Sequence, residues 1–445
     1  MRPRVLIYSP DYHTLGSMIA AGVLSKSGCK VKQTREPDTA ALAKADVLAL
    51  SLYSTLHLMD ENVRSMVETA VDRGLTVLIG GPVSHVPDLV LHAFPDAVVV
   101  KGEAETVLPE VAQVLKEEAD WDDVTGVAYR HDDETVDTGW PPPADLDGPS
   151  PLRVPKRLHE QDIRGANVYI ETHRGCPGAC TFCQVPEFFG RRVRWKPVEA
   201  ILEEVKALMR GGARRFAVAG GTVTTYGDSD EDFVELLREL SNLVGRENLA
   251  APDVRVDLLN ETLLEAILRY TIGWIFPGIE SGSDRVLKAM RKGINVDTIR
   301  DAVWTAKTMG VKVAGSFIVG YPGETEEDFE MTEELVMELQ LDDIFVNIAE
   351  PIPGTELCRE ILERDPEEIP ILRPGDTLET EAGDRSLQLQ LTGFSSLSRP
   401  IPLTDDVFAS AEEQARKDER KVLRIVKFLK EAHERGVDVL GGSGP

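Results

Sequence analysis

The sequence predicts an α/β protein: a Rossmann-like doubly wound parallel sheet, then a partial TIM-type (β/α)6 barrel, then a C-terminal helical extension. Three observations carry this. Short apolar runs alternate with helical stretches over the first 120 residues, the alternation breaks in an Asp- and Pro-rich stretch and resumes from Ala166, and 445 residues exceed what one core serves.

The elements follow in order. Residues 5–8, 31–34, 47–52, 76–79 and 97–100 are short apolar runs of strand length. Helical spacing or composition separates them at about 16–26, 38–45, 60–73 and 85–94, and 103–116 closes the series. Residues 121–165 read as a linker, with a small hairpin around 127–136. Barrel strands are expected at 168–172, 215–219, 254–258, 274–278, 311–318 and 344–348, with helices between them. A charged helix is expected over about 405–435. The division is thus 1–120, 121–165, 166–357 and 358–445.

Composition narrows the function. Apolar residues make up 42%, enough for packed cores. The 49 Lys and Arg against 76 Asp and Glu give −27, a field that repels phosphate backbones, so no nucleic-acid partner is expected. Such acidity suits a high-salt cytoplasm, where repulsion is screened. No apolar run is long enough to span a bilayer, and the N-terminal MRPRVLIYSP lacks a signal-peptide core. The expectation is a soluble cytoplasmic protein with no membrane partner.

Of five cysteines, Cys176, Cys180 and Cys183 fall within eight residues, while Cys29 and Cys358 stand apart. A tight cluster in an intracellular chain points to a metal before a disulfide. In Arg174-Gly-Cys-Pro-Gly-Ala-Cys-Thr-Phe-Cys183, three soft thiolates can hold three irons of a [4Fe–4S] cubane and leave the fourth open. A zinc loop is the alternative, with His173 as a nearby fourth ligand. The two remaining cysteines cannot hold a second cubane.

The CxxxCxΦC pattern, with Phe182 at Φ, resembles the signature of radical S-adenosylmethionine (SAM) enzymes. Further segments resemble that family in order. Gly220-Gly221-Thr222 stands where the family contacts the SAM amino group, with Thr222 replacing its Glu. Glu280 and Ser281 match residues reaching the SAM ribose and amino-acid part, and Ile318 lies in the segment flanking the adenine. Pro351-Ile-Pro-Gly-Thr355 resembles the exit of the sixth strand. The resemblance implies that SAM chelates the open iron and that electron transfer releases a 5′-deoxyadenosyl radical, which takes hydrogen from an unactivated carbon.

The N-terminal part carries Asp11-Tyr-His13-Thr-Leu-Gly16, a D-x-H-x-x-G string resembling cobalamin-binding domains. There the His ligates cobalt and the Asp orients its other nitrogen. The resemblance extends to Ser51, Gly80, Gly81, Gly102 and Glu103, all at strand ends. A surface or capping His13 is the plainer reading, and many cobalamin-dependent radical SAM enzymes lack this ligand.

Smaller features stay open. Arg191, Arg192 and Arg194 either hold SAM or substrate carboxylates or cover the cluster with charges in solvent. Tyr226 and Tyr321 either face substrate or pack. Cys358 reads as buried and inert, and 386–402 as a lid or a packing extension.

A cobalamin domain joined to a radical SAM barrel resembles the class B radical SAM methyltransferases. That implies methyl transfer from SAM, through methylcobalamin, to an sp3 carbon. Length, acidity and the single cluster resemble the archaeal enzymes that methylate methyl-coenzyme M reductase, in particular at a glutamine Cα. Implied partners are that protein, another peptide or a small molecule, and a reductant such as ferredoxin or flavodoxin. Rivals are a cobalamin-dependent cyclase, ring-rearranging or lipid-modifying enzyme, and a non-catalytic cobalamin sensor. A methylthiotransferase is disfavoured, since the N-terminal part offers only Cys29 for a second cluster.

Overall fold

The computed structural model describes residues 2–132, 134–365, 368–370 and 405–441, with backbone only for 405–416. The suggested lid at 386–402 lies outside the described residues. The chain forms two compact units. One comprises 1–176, 184–217 and 432–445; the other comprises 177–183 and 218–431.

The first unit holds a seven-stranded sheet in the order β2-β1-β3-β4-β5-β6-β7. Its strands are β1 (Arg4–Tyr8), β2 (Lys30–Thr34), β3 (Val47–Ser51), β4 (Thr76–Gly80), β5 (Ala97–Val100), β6 (Val127–His131) and β7 (Glu134–Asp137). The first five run parallel. Their 2-1-3-4-5 order places a topological switch point between β1 and β3, where such folds bind ligands beyond the strand C-termini. β5 is apolar throughout and fully buried, as expected of a strand covered on both faces.

The stretch expected as a linker, 121–165, belongs in part to this sheet. β6 and β7 form an antiparallel hairpin that extends it past β5. Further on, Arg153 N donates to Met18 O at 3.0 Å. That approach explains Gly22, where a Cβ would collide with the Pro151 carbonyl.

Six strands answer the barrel candidates: β8 (Val168–Glu171), β11 (Phe216–Ala219), β13 (Asp253–Val254), β14 (Trp274–Glu280), β15 (Lys312–Val319) and β16 (Asp343–Ile348). Between them come the short pair β9 (His173–Arg174) and β10 (Arg194–Trp195), and β12 (Leu249–Ala250). β13 to β16 form a parallel four-stranded sheet in the second unit. The strand expected at 254–258 is shorter. It ends at Val254, and a 3-10 turn, Val256–Leu258, follows where Arg255 pairs with Asp257.

The C-terminal helix spans Asp405–Glu434, close to expectation. Val422, Ile425, Val426 and Leu429 form its buried stripe at helical spacing. Among the described residues no helix is long and apolar enough to cross a membrane.

Candidate functional site

In the first unit a cavity of about 290 Å³ opens at the C-terminal edge of the parallel sheet. Its floor is apolar, from Ile7, Ile19, Leu50, Leu78 and Leu108. Gly16, Ser51, Gly80, Gly81 and Gly102, which the resemblance assigns to cobalamin, line it. At Gly16 a Cβ would meet nothing within 4 Å, so this position leaves free space on the cavity wall. A largely apolar slot with a glycine wall and the hydroxyl residues Thr14, Ser51 and Tyr53 fits a flat aromatic tail such as that of cobalamin.

Asp11 and His13 are not among the lining residues. The Asp11 carboxylate accepts from Tyr53 Oη at 3.1 Å and lies 3.6 Å from His57 Nε2, so it does not orient His13. His13 Nδ1 is buried without a partner, and burial lowers its pKa below the usual imidazole value, with Arg35 adding to this. Tyr53 does line the cavity.

Glu103 also lines the cavity, but its carboxylate is engaged. It is ion-paired to both Arg174 and Arg194 and accepts from Ala144 N at 3.1 Å. Arg194 is therefore not free to hold a ligand carboxylate, as one reading of the sequence supposed. Arg174, only 3% exposed, also pairs with Glu105 at 2.7 Å and Glu171 at 3.0 Å. Lys196 meets Glu171 at 3.2 Å and Glu204 at 2.8 Å. Burial alone would raise the Glu171 carboxyl, but Arg174 and Lys196 outweigh it and hold it at about 2.

The cysteine loop follows. Cys176 is buried, and Cys180 and Cys183 are half-buried. Cys176 N donates to Gly190 O at 3.3 Å. Gly175 has φ +90, and a Cβ there would strike the Arg192 carbonyl. Among the described residues no group of three or more His, Cys, Asp or Glu side chains is gathered so as to hold a metal ion. Three thiols on one loop are the donor set that iron–sulfur chemistry requires. His173, the fourth ligand of the zinc alternative, is buried with Nδ1 2.9 Å from Thr172 Oγ1.

In the second unit Thr181 is pinned from three sides. Its N–H donates to Met290 O at 3.0 Å, its carbonyl accepts from Leu357 N at 2.9 Å, and its hydroxyl lies 2.7 Å from Tyr321 Oη. A second cavity, about 340 Å³, is lined by Phe182, Glu280, Ser316 and Ile318. Asn347 in the sixth barrel strand, Glu350 just after it, and Asp418 and Lys421 of the C-terminal helix complete its polar wall. Lys421 Nζ pairs with Glu350 at 2.7 Å. Lys292 Nζ lies 2.7 Å from Glu280 and 5.8 Å from the Phe182 ring centroid. Burial pulls the Lys292 ammonium down, but Glu280 and the Cys180 thiol hold it above the usual lysine value.

Six of the residues expected to contact SAM or substrate are absent from the lining of this cavity: Gly220, Gly221, Thr222, Tyr226, Ser281 and Tyr321. Ser281 is fully buried, 3.2 Å from Thr332 Oγ1, and accepts from Ser283 N, so it does not face a ligand. Tyr321 is buried against Thr181, and Tyr226 is buried outside this lining. Gly220 and Gly221 follow β11, and Thr222 Oγ1 donates to the Asp253 carbonyl at 3.2 Å, a structural use in place of the family's Glu. Cys358 is buried, as expected, and burial pushes its thiol up to about 12.

Comparison with known proteins decides the family. Residues 170–336 match the Radical SAM superfamily. A Methanocaldococcus jannaschii protein, provisionally named a methylthiotransferase, is 43% identical over 438 residues, covering 96% of each chain. This chain belongs to the radical SAM superfamily. An uncharacterized methyltransferase of Pyrococcus horikoshii is 30% identical over 68% of this chain and 67% of its own. In fold, the radical SAM methyltransferase TsrM from Kitasatospora setae, solved with cobalamin and a [4Fe–4S] cluster, aligns with a TM-score of 0.69. It covers 82% of this chain and 78% of its own at 18% identity, a likeness of fold alone. The radical SAM match contains the cysteine loop and every segment expected to contact SAM.

Sequence reasoning missed Arg174 with Glu105, Lys292, and the Lys421–Glu350 pair. Arg174 stands in the motif itself, and only its burial shows its use.

Proposed function

We propose that this radical SAM chain is a cobalamin-dependent methyltransferase, moving a methyl group from SAM by way of methylcobalamin to an unactivated sp3 carbon. The observation that carries this reading is the cavity of the first unit. Its apolar, glycine-walled slot at the switch point suits a cobalamin tail, and the residues flanking the cysteine loop line the same slot. Cys176, Cys180 and Cys183 hold the cluster; Phe182, Glu280 and Ile318 line the place for SAM; Gly16, Ser51, Gly80, Gly81 and Gly102 receive cobalamin. When bound, these groups supply one-electron hydrogen abstraction and a transferable methyl group. The burial of Lys292 with Glu280 keeps that wall charged and ordered away from bulk water.

The acceptor taken forward is a glutamine Cα of methyl-coenzyme M reductase, supported by resemblance in length, acidity and single cluster. A ferredoxin or flavodoxin would supply electrons. Anaerobic reconstitution with hydroxocobalamin, reductant, methyl-labelled SAM and the acceptor protein tests the reading. Expected are 5′-deoxyadenosine and one labelled methyl on a glutamine. Failure to form 5′-deoxyadenosine overturns the enzyme class; a labelled methyl on another residue overturns the acceptor.

A methylthiotransferase is the second reading, favoured by the name of the M. jannaschii relative. It requires sulfur donation. Outside the loop the chain has only Cys29 and Cys358, both buried, so an auxiliary cluster has no cysteine set. A methylthio product in the same experiment supplemented with sulfide would establish it.

A further inference from the structure

The two sequence flanks of the cysteine loop both reach the cavity of the first unit. Upstream, Arg174 lines that cavity two residues before Cys176. Its guanidinium grips Glu103 and Glu105, on the loop and first helical turn that follow β5. The antiparallel pairing of β9 with β10 sets Arg194 opposite Arg174, and both hold Glu103. Downstream, Phe188 and Phe189 line the cavity, the Phe189 ring 5.9 Å from the Arg174 guanidinium carbon. Gln184 Nε2 donates to Pro82 O at 3.1 Å, beside the glycine pair that ends β4. Glu103 thus bolts the sheet edge to the loop while lining the same cavity.

We propose that Arg174 is a positioning residue through which the cavity's occupant sets the environment of the first cluster thiolate. This rests on the reading of the cavity as a cobalamin site. The link is short and stiff. Gly175 sits in the left-handed region against the Arg192 carbonyl, and Cys176 N is held by Gly190 O. A guanidinium shared among three carboxylates cannot shift without uncovering buried charge, so movement at the cavity wall passes to Cys176.

The test compares the wild type with Arg174→Lys and Arg174→Gln, each reconstituted with iron and sulfide, with and without hydroxocobalamin. The readouts are the electron paramagnetic resonance spectrum and midpoint potential of the reduced cluster. In the wild type both shift when hydroxocobalamin binds. In Arg174→Gln the shift is lost although iron content and cobalamin absorbance remain, and Arg174→Lys restores part of it. Should Arg174→Gln fail to fold, the double variant Glu103→Gln/Arg174→Gln, which removes one uncovered carboxylate, takes its place. A variant that shifts as the wild type does overturns the proposal. So does a wild type that binds hydroxocobalamin without any cluster response. A wild type that binds no hydroxocobalamin instead overturns the reading of the cavity, and the coupling with it.

Discussion

Tyr321 Oη lies 2.7 Å from Thr181 Oγ1, tying the start of the loop that follows β15 to the residue after the second cluster cysteine. Tyr321 is 1% exposed, and burial pushes its phenol up to about 12, so the hydroxyl stays protonated. Tyr321→Phe leaves the ring in place and takes one partner from a buried hydroxyl. The expected cost is about 1 to 1.5 kcal/mol. Urea unfolding checks the stability. The iron-to-protein ratio after reconstitution is expected to fall with it, because Thr181 fixes the turn in which Cys183 N donates to Cys180 O.

Gly16 gives a cleaner separation of fold from ligand. Nothing lies within 4 Å of a Cβ built there, and the residue lines the cavity of the first unit. Gly16→Ala in the first turn of the helix Leu15–Lys26 is expected to stabilise by about 0.5 kcal/mol. Gly16→Leu puts an isobutyl group into the slot. Hydroxocobalamin affinity is expected to drop at least ~10-fold, about 1.4 kcal/mol, with an unchanged melting curve. Equal affinity in titrations of Gly16→Leu and wild type would place cobalamin elsewhere.

These sites differ in how far the sequence discloses them. β1 to β5 read clearly because apolar runs of strand length alternate with helices. The hairpin 127–137 was legible as a hairpin, but its place in the first sheet was not, because Asp- and Pro-rich flanks made the stretch read as a linker. The three cysteines and the glycine-ended strands are local patterns and were legible. The Glu103 network was not, since its partners lie 71 and 91 residues away. Ser281 shows a subtler limit. The motif places it at the barrel rim, but Glu280 at φ +68, after a register shift in β14, turns the chain so that Ser281 faces Thr332.

The same turn makes Glu280 and Lys292 interdependent. Both are buried, 2.7 Å apart. Lys292→Met leaves an unpaired buried carboxylate and is expected to cost about 3 kcal/mol. The double variant Glu280→Gln/Lys292→Met recovers most of that, because the desolvated charge is gone. Glu280→Gln alone should keep the fold better than Lys292→Met, since an ammonium on a flexible stem can find solvent. Chemical unfolding of the three variants checks the order. Calorimetric titration with SAM is expected to show weaker binding for both variants that lack the Glu280 carboxylate.

Glu171 sets an acid limit on the first unit. Burial by itself would raise its carboxyl, but Arg174 and Lys196 hold it at about 2, against 4.5 for an ordinary glutamate. The folded pKa is therefore depressed. Between those values the unfolded chain binds the proton and the folded chain resists it, so unfolding gains as pH falls. The contribution is complete above about pH 4.5 and is lost progressively towards pH 2. Glu171→Gln removes the titrating group but leaves Arg174 its bonds to Glu103 and Glu105. The variant is expected to be less stable near neutrality and to lose less stability on acidification across that window. Urea midpoints measured for both proteins over the same pH series check this. Converging curves are expected. Parallel curves would mean that Arg174 and Lys196 do not hold Glu171 ionised, and that the buried network is weaker than its geometry indicates.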